Sequence, residues 1–356
     1  MKKVLFLYKT PRKKIYDDWK DKKGPDTILY GLNHLKKFGY RADFFDTGFY
    51  MVNPLRWLSY LINLIAGKTT GVGFNLGQTL TLMPKLNKYD YIISTMDTSG
   101  LPLLMLKKIG LLKPKVIYIS VDLVLRIKDY NKMLKTFYKN LLKVADLIVC
   151  YSPQEEKLLK ILNKNVVLMS PGTDFIYYQN MKEPKNKTLK ILAFGRDSDR
   201  DYKLFFESIN GLNFNSEVVA SNRNLEGLKI PQNVSVLIDL PAKDLKEKMS
   251  AADIVVIPLK SVKRAAGQLS VLDSIAAAKP LITASIPAIK DVFKLCDGED
   301  CLYYKAGSLR DLKAKISKLA KDQKLRISLS NNAKITAQKF TTEIFAKNLA
   351  FYLNKL

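Results

Sequence analysis

The sequence is poor in the residues that most metal and nucleophile chemistry needs. It has one histidine, His34, and three cysteines, Cys150, Cys296 and Cys301. A single histidine excludes a His-rich metal site and most Ser-His-Asp arrangements. Three cysteines make no disulfide framework and point to a reducing compartment. Cys296 and Cys301 lack a second pair of ligands at metal-binding spacing, so no zinc site is expected. His34 lies off the apolar stripe formed by Ile28, Leu29, Leu32 and Leu35 and reads as a solvated surface residue. No apolar run reaches the ~18 residues that a membrane span requires. The nearest candidate, Tyr50 to Ala66, is broken by Asn53, Pro54, Arg56 and Asn63. Met1-Lys2-Lys3 leads straight into VLFLY, so no signal peptide is expected.

Acidic residues are scarce too: 33 Asp and Glu stand against 59 Lys and Arg, a formal net charge of +26. Such a field attracts nucleic acid, an anionic membrane or phosphorylated small molecules. It also has a bland source in solubility or a hot habitat. The chain has no C2H2 zinc finger, RNP1 string or clear helix-turn-helix, which sets a nucleic-acid-binding protein behind the other readings. What is abundant is hydrophobic residue, 47% of 356 residues, enough for two packed cores.

Short β-branched or aromatic runs alternate with helical stretches. They fall at Val4–Tyr8, Ala42–Asp46, Tyr91–Ser94, Val116–Ser120, Leu147–Tyr151 and Val166–Met169. Their near-continuous apolar character predicts strands buried on both faces of a parallel sheet. A helix is expected from Asp26, as N-cap, to Lys37, stopped by Gly39. After a polar linker, Asn180–Lys187, the rhythm restarts with strands at Lys190–Phe194, Ser216–Ala220, Val234–Leu237, Ile254–Ile257 and Leu281–Thr283. Helices are expected between them at Tyr202–Ile209, Lys243–Met249 and Gln268–Ala278, and throughout from Leu309. The fold class is therefore α/β: two facing, doubly wound, Rossmann-like parallel-sheet domains with a C-terminal helical tail. The domains are read as 1–179 and 188–340, with helix 341–356 packing back on the first. Ligands of such sheets sit beyond the carboxyl ends of the strands, so the cleft is expected between the domains.

Several segments carry chemistry. Gln268, Leu269 and Ser270 open a helix directly after Gly267, aiming backbone N–H groups and the helix dipole at an anion. Gly195, Arg196 and Arg200 follow the first strand of the second domain, and arginine suits bidentate phosphate contact. Asp273, a turn and a half into the helix, is able to accept both hydrogen bonds of a ribose diol. Against these stand a tight turn at Gly267, arginines solvated or paired with Asp197, Asp199 or Asp201, and an exposed Asp273. The string Asp197-Ser198-Asp199 imitates a metal-binding DxD motif but is read as incidental.

The stretch Gly267–Ala284, GQLSVLDSIAAAKPLITA, resembles the donor-binding segment of group-one glycosyltransferases with the GT-B fold, E-x7-E followed by AMAAGKPVVA. FGRDSDRDY at Phe194–Tyr202, ADLIVCYSPQEEKL at Ala145–Leu158 and MSPGTDF at Met169–Phe175 are similar to further landmarks of that family, in order. AADIVVIPL at Ala251–Leu259 and DGEDCLYY at Asp297–Tyr304 fit as well. The resemblance implies a metal-independent hexosyltransferase that needs no cofactor. Its co-substrate would be a nucleotide-diphosphate sugar held by Gly195, Arg196, Arg200 and Gly267–Ser270, with ribose on Asp273. Two departures matter. The first Glu of E-x7-E falls on Ala265, which leaves Gln268 or a neighbour to contact the sugar. The family's N-domain histidine falls in Ile119–Leu123, ISVDL, where Asp122 is the one ionisable side chain. A retaining reaction would lean on Arg196, Arg200 and the helix start. An inverting one would use Asp122 as base, unless Asp122 merely caps the next helix. Retention is preferred. A catalytically silent nucleotide-sugar-binding homologue is the alternative.

The acceptor side is expected in the first domain. Leu55, Leu58, Leu61, Ile62 and Ile65 at helical spacing, with Trp57 and Tyr60, form an amphipathic stretch. Arg126, Lys128, Lys132, Lys135, Lys139 and Lys143 surround Phe137 and Tyr138. Together they suit peripheral docking on an anionic lipid surface, at the cytoplasmic face, with a lipid-linked or other glycan acceptor. The plain alternative is core packing and solvated lysines. A further basic cluster, Lys2, Lys3, Lys9, Arg12, Lys13 and Lys14, surrounds the first strand, and its loop continues to Lys20, Lys22 and Lys23; that loop suits donor phosphates, a phosphorylated acceptor or simple exposure.

Overall fold

The computed structural model describes residues 1–45, 56–181, 184, 186–212 and 214–356. Two six-stranded, all-parallel sheets organise the chain. The first contains β1 (Lys2–Leu7), β2 (Tyr40–Phe45), β3 (Tyr91–Ser94), β4 (Lys115–Ile119), β5 (Leu147–Cys150) and β6 (Val166–Leu168), in the order β2-β1-β3-β4-β5-β6. The second contains β7 (Lys190–Phe194), β8 (Asn215–Ala220), β9 (Val234–Ile238), β10 (Ile254–Ile257), β11 (Leu281–Ala284) and β12 (Leu302–Tyr304), in the order β12-β11-β10-β7-β8-β9. The expected doubly wound α/β architecture is thus present twice, and three helices from Leu309 to Lys355 form the tail.

Central strands such as β3, β4, β5, β10 and β11 are buried along nearly their whole length. Their Val, Ile and Leu runs meet helices on both faces, which is why the pattern is continuous and not alternating. Strand order reverses between β1 and β3 in one sheet and between β7 and β10 in the other. At such a switch point the connections leave in opposite directions and open a crevice beyond the carboxyl ends.

Compact units do not follow the expected boundaries. One comprises Met1–Asp17, Leu29–Met169 and Phe345–Leu356; the other comprises Asp18–Ile28 and Ser170–Ile344. The division thus falls at Met169, ahead of the expected 179, and Asp18–Ile28 counts with the second unit. Two bonds fix that segment: Asp26 N–H donates to Asp174 at 3.1 Å, and Thr342 Oγ1 donates to Asp26 Oδ2 at 2.9 Å. The last helix serves the first unit. Tyr91 donates to the Leu353 carbonyl at 3.0 Å and Tyr40 to Asn354 at 2.6 Å.

Two local expectations fail for backbone reasons. The helix predicted from Asp26 to Lys37 is instead two 3-10 segments, Thr27–Leu29 and Leu32–Phe38, interrupted by Tyr30 and Gly31 at φ of 53° and 75°. Asp26 is a buried tether, and His34 is half-buried beside Asn33. The strand Leu302–Tyr304, Leu-Tyr-Tyr, was not among those expected: it carries no β-branched residue, whereas the equally short Val166–Leu168 has two.

Candidate functional site

The second unit assembles a site at its switch point. Arg200 lies in the loop after β7, which pairs with the loop after β10. Asp201 N–H donates to the Pro258 carbonyl at 3.1 Å and Lys260 N–H to the Asp199 carbonyl at 2.9 Å. The helix Gln268–Ala276 begins beyond the β10 loop. Arg200 Nη2 donates to Ser270 Oγ at 2.8 Å and Nε pairs with Asp197 at 2.9 Å. Among the described residues Nη1 has no hydrogen-bond partner, although the side chain is only 3% exposed. A buried guanidinium with an unused donor costs free energy unless a ligand satisfies it.

Glycine makes this placement possible. Gly195 has φ of 137°, and a Cβ there would overlap the Arg200 guanidinium. Gly267 caps the helix at φ 71°, ψ −2°, with no side-chain cap. A Cβ on it would come within 2.7 Å of the Leu259 side chain, and the left-handed φ strains any residue but glycine. The first turn, Gln268, Leu269 and Ser270, precedes the first intrahelical bond, from Val271 N–H to the Gly267 carbonyl.

The predicted donor residues do not all converge. Arg196 turns the other way across the sheet: its Nε pairs with Asp239 at 3.0 Å and its Nη2 donates to the Leu240 carbonyl at 3.0 Å, both beyond β9. Its side chain is 56% exposed. The expected pair of guanidinium groups on one diphosphate is therefore reduced to Arg200. Gln268 donates its amide to the Ala288 carbonyl at 2.7 Å and ties two helices together, which replaces the sugar contact considered for it. Leu269 is half-buried. Asp273 is also half-buried and accepts from Thr173 at 2.6 Å and from Tyr178. Burial raises its pKa to about 7 against the lowering effect of these bonds. A carboxyl engaged in this way braces Ser170–Tyr178 against the helix, a role the sequence reading did not assign. Asp197 serves Arg200, and Asp199 pairs with Arg264, so the DSD string is a pair of arginine anchors.

In the first unit Asp122 follows β4 and is buried. It stands at the N-cap position of the short helix Leu123–Arg126, at φ 62°, without a side-chain capping bond. Nor is its carboxylate open as a base. Oδ1 lies 2.7 Å from Arg126 Nε and Oδ2 accepts from Nη2 at 3.0 Å. Two neighbours were not foreseen. Asp97 and Glu155 are buried beside this turn, and burial raises each carboxyl to about 7. Glu155 sits in SPQEEKL, three residues after Ser152, where the sequence reads as a helix cap. Asp97 carries no motif at all, and only the strand order brings it here.

The helix Arg56–Thr70 exposes Tyr60, Leu61, Leu64 and Ile65, and the helix Lys132–Leu142 exposes Met133 and Phe137. Ile62 instead packs on the core. Leu55 and the side chains of Trp57 and Leu58 lie outside the described residues. Among the described residues no helix is long and apolar enough to cross a membrane.

Two all-parallel, doubly wound sheets, with an arginine and a glycine-capped helix start at the second switch point, define the class of fold: GT-B. Residues 172–336 match the family model of the glycosyl transferases group 1. An uncharacterised glycosyltransferase of Methanocaldococcus jannaschii is 22% identical over 336 residues, covering 92% of this chain and 85% of that protein. Among solved structures, sucrose-phosphate synthase from Thermosynechococcus elongatus superposes with a TM-score of 0.74 at 15% identity, covering 100% of this chain and 99% of that one. HepE of Anabaena, in complex with UDP-glucose, superposes with a TM-score of 0.72 at 13% identity over 100% of both chains.

Proposed function

We propose that the protein transfers a hexose-type sugar from a nucleotide-diphosphate sugar to a lipid-linked or other glycan acceptor at a membrane surface. The observation that carries the donor half is Arg200: a buried guanidinium with an unsatisfied Nη1, held against the start of the helix Gln268–Ala276. A diphosphate supplies what both elements lack, oxygen acceptors for the guanidinium and negative charge at the helix start. The UDP-glucose bound to HepE supports a uridine donor as the first to try.

The chemistry follows from what these groups do to a leaving phosphate. As the bond between the sugar and the diphosphate breaks, negative charge grows on the leaving oxygens. Arg200 and the helix start stabilise that charge without reorganising, because both are already fixed. Retention of configuration, without a resident metal, is the preferred course. Asp122, the carboxylate considered as the base of an inverting reaction, is engaged by Arg126. Asp197 and Asp199 are committed to arginines.

The membrane half rests on the exposed Tyr60, Leu61, Leu64 and Ile65, accompanied by Met133 and Phe137 among the lysines of Lys132–Lys143. Apolar side chains within basic surroundings favour an anionic interface on the cytoplasmic side. A thermal-shift screen over UDP-, GDP-, ADP- and dTDP-sugars tests the donor half: stabilisation by one nucleotide series is expected. No stabilisation by any of them would refute it. Co-sedimentation with phosphatidylglycerol vesicles, lost in a Leu61→Asp, Ile65→Asp variant, tests the membrane half.

A further inference from the structure

Two buried carboxyl groups in the first unit are not used by the donor reading. Asp97 opens the helix Asp97–Lys108 after β3, and Glu155 lies in the first turn of the helix Pro153–Lys160 after β5. Between them runs the turn Ser120–Val121–Asp122, after β4. Asp97 Oδ1 accepts from the Tyr118 hydroxyl and, at 3.3 Å, from Val121 N–H. Glu155 Oε1 accepts from the Ser120 hydroxyl at 2.8 Å and from Asp122 N–H at 3.0 Å. Each residue of the turn is thus bonded by a carboxyl group from a neighbouring strand end.

The arrangement has been accommodated elsewhere in the unit. The Tyr118 ring passes beneath Gly100, where a Cβ would lie 2.5 Å from it; glycine inside a helix is otherwise unfavourable. Ser152 and Glu155 have the spacing of a capping box, and Glu155 N–H does donate to Ser152 Oγ at 3.3 Å. The Glu155 side chain, however, serves the β4 turn. What the two carboxyl groups hold is Asp122 in the left-handed region, which Asp visits more readily than most residues with a Cβ but only with local hydrogen bonds to support it. Asp122 in turn brackets Arg126, whose side chain is 45% exposed while that of Asp122 is 6% exposed.

We propose that Asp97 and Glu155 are positioning residues, clamping the Ser120–Asp122 turn so that the Asp122–Arg126 pair meets hydroxyl groups of the sugar acceptor. The acceptor role rests on the glycosyl-transfer reading above; the clamp itself does not. The Arg126 charge is already answered by Asp122, which makes this turn a poor host for an anionic group. A guanidinium edge beside a carboxylate matches a polyol, which both donates and accepts.

Hydrogen exchange on the full chain, read on peptides covering 119–126, tests the clamp. Glu155→Ala removes the acceptor of Asp122 N–H and should speed its exchange about tenfold or more, the scale of a lost hydrogen bond to a charged group. Glu155→Gln keeps an acceptor oxygen and should stay within about threefold of the parent. Ser120→Ala, which deletes one bond of the clamp, carries the same expectation in milder form should Glu155→Ala fail to fold. Unchanged exchange would overturn the clamp. For the acceptor role the probes are UDP-glucose as donor and octyl glucoside as acceptor. Glu155→Ala and Arg126→Ala should each lower the acceptor kcat/KM about tenfold, with the thermal stabilisation by UDP-glucose unchanged and Glu155→Gln restoring transfer. Faster exchange with unchanged acceptor kcat/KM would overturn the positioning role. A parent protein that none of the UDP-, GDP-, ADP- or dTDP-sugars stabilises would count against the glycosyl-transfer reading and remove the acceptor role with it. The exchange result would still decide the clamp.

Discussion

The two switch-point loops of this chain solve opposite electrostatic problems. The second unit buries a cation, Arg200, beside a helix start and leaves one of its donors unused. The first unit buries three acids, Asp97, Asp122 and Glu155, around a single half-exposed arginine. The folds are alike, and both loops emerge at the carboxyl end of parallel strands, so topology does not account for the difference. Side-chain chemistry does: a diphosphate needs donors and positive charge, whereas hydroxyl groups need acceptors with a donor close by. The comparison predicts that substitutions in the two loops separate donor effects from acceptor effects.

The largest effect is expected at Arg200. Arg200→Ala should cost ~3 kcal/mol of transition-state stabilisation, a hundredfold or more in turnover, by the scale of a lost charge-stabilising donor. It should also abolish the thermal shift by the nucleotide sugar. Retention of that shift would move the diphosphate elsewhere. Gly195→Ala comes next. Its Cβ would overlap the guanidinium, and φ of 137° strains any residue but glycine. Donor affinity should fall at least tenfold, about 1.4 kcal/mol, as Arg200 is displaced. Isothermal titration with UDP, comparing Gly195→Ala with the parent, checks this, and equal affinity would break the link between the glycine and the arginine.

These expectations were only partly legible in the sequence. Tyr91–Ser94, Lys190–Phe194, Ile254–Ile257 and Tyr202–Ile209 are matched residue for residue, because long β-branched runs and an amphipathic period leave little choice. Gly267–Ser270 was legible as a helix start for the same reason. The direction of Arg196 was not. Two arginines four residues apart in one loop look equivalent in a string, and only the strand order β10-β7-β8-β9 separates a side chain reaching toward β9 from one reaching toward β10. Asp97, Asp122 and Glu155 are 25 and 33 residues apart in sequence, and parallel crossovers bring them together. The break at Tyr30 and Gly31 was hidden because a helical period continues on both sides of it.

A smaller and purely thermodynamic effect is strongest in the acidic loop, where two carboxyl groups contribute to it. Burial raises the Asp97 carboxyl from 3.8, and that of Glu155 from 4.5, each to about 7. The folded state therefore binds more protons than the unfolded chain between those values. The sign follows: these groups favour folding most at low pH, and their contribution is lost as pH rises toward and through about 7. Asp97→Asn and Glu155→Gln should flatten the fall in Tm between pH 5 and pH 8. Asp273→Asn should act likewise in the second unit, since that carboxyl is raised by burial in the same way. A Tm slope that all three variants leave unaltered would mean that these acids remain ionised in the fold.

The smallest effect is expected where the sequence placed one of the largest. Arg196 stands one residue from Gly195 and four from Arg200, and as a string it reads as the first phosphate ligand. In the fold its guanidinium joins Asp239, itself 51% exposed, at the far side of the β7 loop. An exposed pair of this kind contributes ~0–1 kcal/mol to stability. Arg196→Ala should accordingly change turnover by less than about fivefold, the factor that such an energy corresponds to. Asp239→Ala should match it, because both substitutions release the same contact. A hundredfold loss in Arg196→Ala alone would show that Arg196 leaves Asp239 when the donor binds. The diphosphate would then be gripped by two guanidinium groups, and the contrast between the units would widen from one buried cation to a pair.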